Sequence, residues 1–158
     1  MNIKICCVGK LKDRYYEEGC GDYIKRLLRF CKLSVLEVAD EKAADTLSKS
    51  EQEQVKDKEG QRLLRCIEQG DYVIALTIDG SSPDSLLFAE KLGRYRLGGK
   101  TVAFVIGGSL GLSEAVLARA DERLSLSKLT LPHRLARLIL LEQLYRGFKI
   151  LSNQTYHK

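Results

Sequence analysis

The sequence predicts an α/β protein with a mostly parallel sheet flanked by helices. Its 158 residues suit one domain with a sizeable core and are too few for two ordinary ones. Short apolar, β-rich runs alternate with helical patterns along the chain, which is typical of this class. Two runs, residues 72–78 and 101–106, are almost continuously apolar, as strands buried on both faces are.

The first half of the chain predicts two strands and two helices. Apolar β-rich runs at 3–8 and 33–38 indicate strands, and helical patterns follow at about 13–30 and 50–67. The polar stretch 39–49 indicates an exposed connection inside the domain. Because no internal repeat or linker interrupts the chain, residues 1–158 are predicted to form a single domain.

The second half predicts three strands, at 72–78, 101–106 and 123–126, and three helices, at about 84–97, 113–120 and 132–151. Ser113 can cap the fourth helix. Pro132 suits the first position of the last helix, which places Leu131 at its N-cap. Since Leu131 has no side-chain acceptor, the amides of that first turn would be available to a ligand.

The last predicted helix carries an apolar surface wider than packing on one side requires. This width predicts a helix packed on two sides, at a subunit interface; burial within one chain is the alternative. The surface comprises Leu135, Leu138, Ile139, Leu141, Leu144, Tyr145 and Phe148.

Three loops that follow predicted strands, at 79–83, 107–114 and 126–133, are candidates for one ligand cleft. Ligands of open α/β sheets bind at the carboxyl ends of strands, where glycine lets the backbone approach them closely. The glycine loop matches neither the dinucleotide fingerprint nor a P-loop. A plain tight turn explains it equally well.

Charge and cysteine usage narrow the class of partner. The net charge of +5 arises within residues 127–158, which suits nucleic acid, although a solvated helix face is the alternative. The chain has five cysteines, none in a Cys-x-x-Cys pair, and only two histidines, which predicts that it has no metal site. The cysteines are predicted to be buried, reduced thiols of a cytoplasmic protein. No run approaches the length of a membrane helix, and no secretory signal is evident.

Four ordered blocks give the chain a family resemblance: FVIGGSLGL at 104–112, LSKLTLPH at 126–133, EQLYRGFK at 142–149 and the terminal YHK at 156–158. They resemble the bacterial 23S rRNA pseudouridine-N(3)-methyltransferases of the SPOUT superfamily. Residues 3–10 and 56–60 are also similar to that family.

The resemblance implies an α/β fold with a C-terminal deep trefoil knot, which sequence periodicity alone does not predict. It also implies S-adenosylmethionine as the cofactor, with no metal, and a homodimer that forms through the last helix and acts on 23S rRNA within the ribosome. The implied cofactor contacts are Leu76, Gly107, Gly108, Leu126, Ser127, Lys128, Leu129, Thr130 and Leu131.

The implied catalytic residues are Tyr156, His157 and Arg146. Tyr156 or His157 would orient the base or take the proton from its ring nitrogen, and Arg146 would hold a phosphate or the deprotonated ring. The RNA contacts are expected at Arg134, Arg137 and Lys158. A non-catalytic RNA-binding module is the alternative from another class, and a SPOUT enzyme acting on tRNA is a further one.

Overall fold

The computed structural model describes residues 1–42 and 46–156 and contains five strands and five helices in alternation within those ranges. Each lies where the sequence predicts one, with ends that differ by up to three residues. The strands are β1 Asn2–Val8, β2 Lys32–Val38, β3 Tyr72–Ser81, β4 Val102–Ile106 and β5 Glu122–Leu124. The helices are α1 Arg14–Leu27, α2 Lys49–Leu64, α3 Ser85–Leu97, α4 Glu114–Arg119 and α5 His133–Leu151.

The five strands form one parallel sheet in the order β2-β1-β4-β3-β5. Parallel neighbours need crossover connections, which the intervening helices provide. All five residues of β4 are buried because this strand lies at the centre of the sheet. The predicted fold class is therefore confirmed, while the knot stays a prediction.

Alternate residues of the central strands face two separate helical layers. On one face, side chains such as Ile5 and Phe104 pack against α1, α3 and α5. On the other face, side chains such as Cys6 and Val105 pack against α2 and α4. In the described residues, no helix has the length and apolarity to cross a membrane.

Helix α5 packs between α1 and α3, and every one of its residues is buried or half-buried. Its close approach to α3 requires Gly147, because a Cβ there would lie 2.5 Å from Leu92 Cδ1. Packing within one chain therefore accounts for much of the wide apolar surface, and the subunit interface stays a prediction. The helix begins one residue later than predicted, with Pro132 instead of Leu131 at its N-cap. Proline also lacks a side-chain acceptor, so the first turn has no side-chain cap.

Strand β3 continues into residues 79–83, which the sequence predicts as one of the three ligand loops. A Cβ on Gly80 would lie 2.6 Å from the carbonyl carbon of Leu124, so glycine lets β3 run closely against β5. The amide of Ser125 donates to the carbonyl oxygen of Ser81 at 2.8 Å. Residues 79–81 are therefore strand, and the expectation of a loop beginning at residue 79 is wrong.

All five cysteines are free, and four of them are buried. Burial raises the pKa of both Cys6 and Cys7 to about 12, so these thiols stay protonated at neutral pH. Across residues 1–42 and 46–156, no three His, Cys, Asp or Glu side chains form a group that could hold a metal ion.

Candidate cofactor site

A cavity of about 390 Å³ lies where β3, β4 and β5 end, at the carboxyl edge of the sheet. Its walls come from residues 76–79, from the turn at 106–112, from the segment after β5 and from the first turn of α5. The volume is within the range of small-molecule sites. Leucine and isoleucine side chains, together with glycine backbone, make most of this lining.

The turn after β4 depends on three glycines. The amide of Gly111 donates to the carbonyl oxygen of Gly108 at 3.2 Å, and Gly111 has a φ of +87°, which favours glycine. A Cβ on Gly107 would lie 2.6 Å from the backbone of Gly111, so a side chain cannot fit inside the turn. The turn therefore presents backbone to the cavity at Gly107 and Gly108.

The segment 126–131 forms the opposite wall. Ser125 Oγ donates to the carbonyl oxygen of Ser127 at 2.9 Å, and Ser127 Oγ accepts from the amide of Leu129 at 3.0 Å. These bonds hold the segment in a compact bend, and the Leu129 side chain lies at the rim with 75% of its surface exposed. The cavity thus has an apolar cover that a ligand can contact.

The structure brings together eight of the nine residues that the resemblance implies for the cofactor. The exception is Lys128, which does not line the cavity. For the eight residues that do line it, the role as cofactor contacts stays a prediction. The eight are Leu76, Gly107, Gly108, Leu126, Ser127, Leu129, Thr130 and Leu131.

His133 also lines the cavity, although sequence reasoning treated it only as the last residue of a motif. Burial is the main cause that lowers its pKa, and the positive charges of Arg134 and Arg137 lower it further; Asp40 opposes them. The imidazole is therefore neutral at neutral pH and can accept a hydrogen bond. Its position directly after the loop segment was the signal that could have identified it.

The described catalytic candidates, Tyr156 and Arg146, do not line the cavity of their own chain. The Tyr156 hydroxyl lies 3.3 Å from Glu142 Oε1 and 3.5 Å from the Tyr23 hydroxyl, and the Arg146 guanidinium covers its ring at 4.7 Å. Arg146 also donates to Glu142 at 2.6 Å. His157 and Lys158 lie outside the described residues.

These contacts change the expected role of Tyr156. Burial is the main cause that raises its pKa above the ordinary tyrosine value, and the hydrogen bond to Tyr23 and the negative charge of Glu142 add to the effect. The side chain is therefore a neutral phenol at neutral pH. Tyr156 can orient a base through a hydrogen bond, a role that suits a neutral phenol better than taking the proton, and its part in catalysis stays a prediction.

The two arginines expected to contact RNA occupy different environments. Arg137 is 2% exposed; it pairs with Glu37 at 2.5 Å and donates to the carbonyl oxygen of Gly9 at 2.9 Å. The expectation of a phosphate contact by Arg137 is therefore wrong, because both of its partners are internal. Arg134 pairs with Asp13 at 2.5 Å, is partly exposed and stays a candidate.

A parallel sheet with a glycine-walled cavity at its carboxyl edge defines a small-molecule-binding α/β protein. The particular family follows from comparison: the chain belongs to the SPOUT methyltransferases, since the family described as "Predicted SPOUT methyltransferase" matches residues 1–157.

Similar proteins cover the chain from end to end. It is 54% identical over 159 aligned residues to "Ribosomal RNA large subunit methyltransferase H" of Listeria monocytogenes and 50% identical to the protein of the same name from Clostridium kluyveri, with 100% of each chain covered. Among solved structures, it resembles a putative methyltransferase of Legionella pneumophila determined with bound S-adenosylmethionine. That match has a TM-score of 0.52 and 12% identity, and it covers 91% of this chain and 65% of the other.

Proposed function

We propose that this protein transfers a methyl group from S-adenosylmethionine to N(3) of a pseudouridine in 23S ribosomal RNA, on the assembled ribosome in the cytoplasm. The names of the full-length relatives support an enzyme acting on large-subunit rRNA. The family resemblance supports the particular base and atom. The observation that carries the proposal is the cavity at the carboxyl edge, with Gly107 and Gly108 on one side and the segment 126–131 on the other.

The residues around the cavity fit this cofactor. Gly107 and Gly108 present backbone where a side chain would collide with neighbouring atoms, and the leucines at 76, 126 and 129 offer apolar cover to a flat ring. When bound, S-adenosylmethionine supplies a methyl group activated by a sulfonium. The task left to the protein is to hold the acceptor nitrogen in line, exclude water and remove one proton.

A cofactor-binding experiment tests the location of the site. Leu129→Lys should weaken the binding of S-adenosylmethionine at least tenfold, because it removes apolar cover and sets a positive charge beside a cationic ligand. The measurement is calorimetric titration. Leu97→Lys is the matched control, since Leu97 is also exposed but does not line the cavity, and affinity should stay within about twofold. Equal affinities in both variants would place the cofactor elsewhere, and failure of the unmodified protein to bind would favour a non-catalytic RNA-binding module.

A homodimer formed through α5 completes the proposed active site. Arg146 lies 13 residues along α5 from His133 at the cavity, which corresponds to about 20 Å of helix. Arg146 is thus far from the cofactor wall of its own chain, and Tyr156 packs beside it. A second copy, related by a twofold axis, would bring its C-terminal segment to this cavity.

Mixing two impaired variants, at a cofactor concentration that does not saturate Leu129→Lys, tests the shared site. A chain truncated after Tyr156 keeps its cavity, and Leu129→Lys keeps its C-terminal residues. If the tail acts in the partner's cavity, the mixture should recover roughly a quarter of normal methylation, since about half of all dimers are mixed and each mixed dimer carries one intact site of two. The assay is methyl transfer to ribosomes after co-refolding at equal concentrations. Activity no greater than the sum of the separate variants would contradict the shared site.

The RNA target is tested by mass spectrometry of rRNA fragments. Incubation of the protein and cofactor with ribosomes from a strain that lacks this enzyme should add one methyl group to one pseudouridine of 23S rRNA. Ribosomes that carry uridine at that position serve as the control. Methylation of tRNA instead, or of uridine at an equal rate, would overturn the assignment of the substrate.

A further inference from the structure

A buried carboxyl group on α2 lies directly behind the glycine turn. Glu59 is 4% exposed, and its Oε1 accepts a hydrogen bond from the amide of Glu41 at 3.0 Å. Its Oε2 is also buried and has no hydrogen-bond partner among residues 1–42 and 46–156. Leaving a buried carboxyl oxygen without a hydrogen-bond partner costs free energy, and such groups are typical of functional sites.

The contact between Glu59 and the cavity wall is close. A Cβ built on Gly108 would lie 2.6 Å from Glu59 Oε2 and 3.1 Å from Oε1. The carboxyl group therefore packs against the α-carbon of a residue that lines the cavity, and glycine is the residue that leaves it room. The next residue of the helix, Gly60, packs closely on Ser113, where a Cβ would lie 2.1 Å from Ser113 Oγ, so glycine lets α2 approach the start of α4.

The charges around Glu59 favour its neutral form in the ligand-free protein. Burial is the main cause that raises its pKa, and the hydrogen bond from the Glu41 amide is the next largest and lowers it. The carboxylates of Asp40 and Glu41 raise the pKa further, while Arg62 lowers it, and the net direction is upward. Arg62 is itself engaged in an ion pair with Glu41, to which Lys58 adds a contact at 3.8 Å. No described cation forms an ion pair with Glu59.

Across the turn, the cavity presents two further titratable groups among its lining residues, Asp79 and His133. His133 is neutral for the reasons given above, so it supplies no positive charge to Glu59 at neutral pH. On α4, the residues that face the neighbouring Gly60 are the N-cap Ser113 and Val116, and both are uncharged. A cation bound in the cavity would thus be a new positive charge close to a buried carboxyl group.

We propose that Glu59 responds to the charge of the cofactor: its carboxyl group is protonated in the ligand-free protein and releases its proton to solvent when the sulfonium cofactor binds against Gly108. This inference rests on the proposed location of the cofactor. The O–H bond of the carboxyl breaks and the buffer takes the proton, so no other reactant is required. The demethylated product, S-adenosylhomocysteine, has a neutral sulfur and should release fewer protons. Glu59 therefore favours the cofactor over the spent product.

The direction of the pH dependence follows from linkage. A cation stabilises the carboxylate, so binding lowers the pKa of Glu59. The affinity for S-adenosylmethionine should then increase as pH rises from the pKa of the bound state to that of the free state, and it should level off above both. The affinity for S-adenosylhomocysteine should change less over the same range.

Calorimetry in two buffers measures the proton directly. At about pH 6, the binding enthalpy of S-adenosylmethionine should differ between phosphate and Bis-Tris buffers. The difference should equal a fraction of one proton per site multiplied by the difference in the two buffers' heats of protonation. Glu59→Gln should abolish that difference, because its amide can keep the hydrogen bond from Glu41 but cannot ionise. It should also reduce the preference for S-adenosylmethionine over S-adenosylhomocysteine, on the order of tenfold.

Two further variants keep the test decisive. Glu59→Asp retains an ionisable group and should retain part of the proton release, whereas Glu53→Gln, on an exposed part of the same helix, should leave it unchanged. Identical enthalpies in the two buffers for the unmodified protein would overturn the proposal, as would undiminished release in Glu59→Gln. If Glu59→Gln does not fold, the unmodified protein decides, because equal proton release by the two ligands contradicts a charge response. Binding of the cofactor at some other place is a separate outcome, which the titration of Leu129→Lys detects.

Discussion

Truncation after Tyr156, which removes His157 and Lys158, is expected to lower methyl transfer by about 100- to 10,000-fold, the usual cost of losing an acid–base group. Tyr156 is a neutral phenol, and Arg146 is held by Glu142, so neither is suited to accept a proton. His157 supplies the imidazole of this segment, the type of side chain that most often acts as a general base. Affinity for S-adenosylmethionine should stay within about twofold, because the residues proposed to bind it lie upstream.

Single-turnover methylation of intact ribosomes measures this effect apart from product release. Tyr156→Phe is the matched control: it keeps the ring against Tyr145 and Arg146 but removes the hydroxyl that contacts Glu142 and Tyr23. We expect a smaller loss of rate from it than from the truncation. A truncated protein with near-normal rate would show that the last two residues are not catalytic.

Arg137→Ala is expected to reduce the free energy of unfolding by about 3 kcal/mol, toward the lower end for a broken buried ion pair. The lower end applies because the Glu37 side chain remains 30% exposed and can be partly hydrated. The substitution also leaves the carbonyl oxygen of Gly9 without its donor at 2.9 Å. Urea unfolding at equilibrium, with one slope for both proteins, measures the difference.

Arg134→Ala is the matched control on the same helix. Its pair with Asp13 is partly exposed, so the expected loss is about 1 kcal/mol or less. Arg134 is expected to matter more for ribosome binding than for stability. Arg134→Glu should weaken ribosome binding and flatten its salt dependence, since one phosphate contact is lost. A loss below 1 kcal/mol for Arg137→Ala would contradict the internal role assigned to that arginine.

The sequence was sufficient to predict the sheet and most of the cavity wall. Apolar runs with two buried faces identify central parallel strands such as β4, because covering both faces with helices requires continuous hydrophobicity. The glycine turn and the segment 126–131 were recognisable because each directly follows a strand, and parallel strands bring their carboxyl ends to one edge. Gly80 was harder to interpret, since it allows close packing on β5 instead of ending β3.

The sequence by itself thus determined the order and type of the elements, which depend on the periodicity of neighbouring residues. The tertiary structure alone decided the environments of individual polar groups. Arg137 meets the carbonyl oxygen of Gly9 across 128 residues, and Glu59 packs against Gly108, which lies far from it in sequence. Periodicity carries no information on which distant groups come into contact. Burial and ionisation depend on those contacts, so the charged residues were the ones whose roles changed.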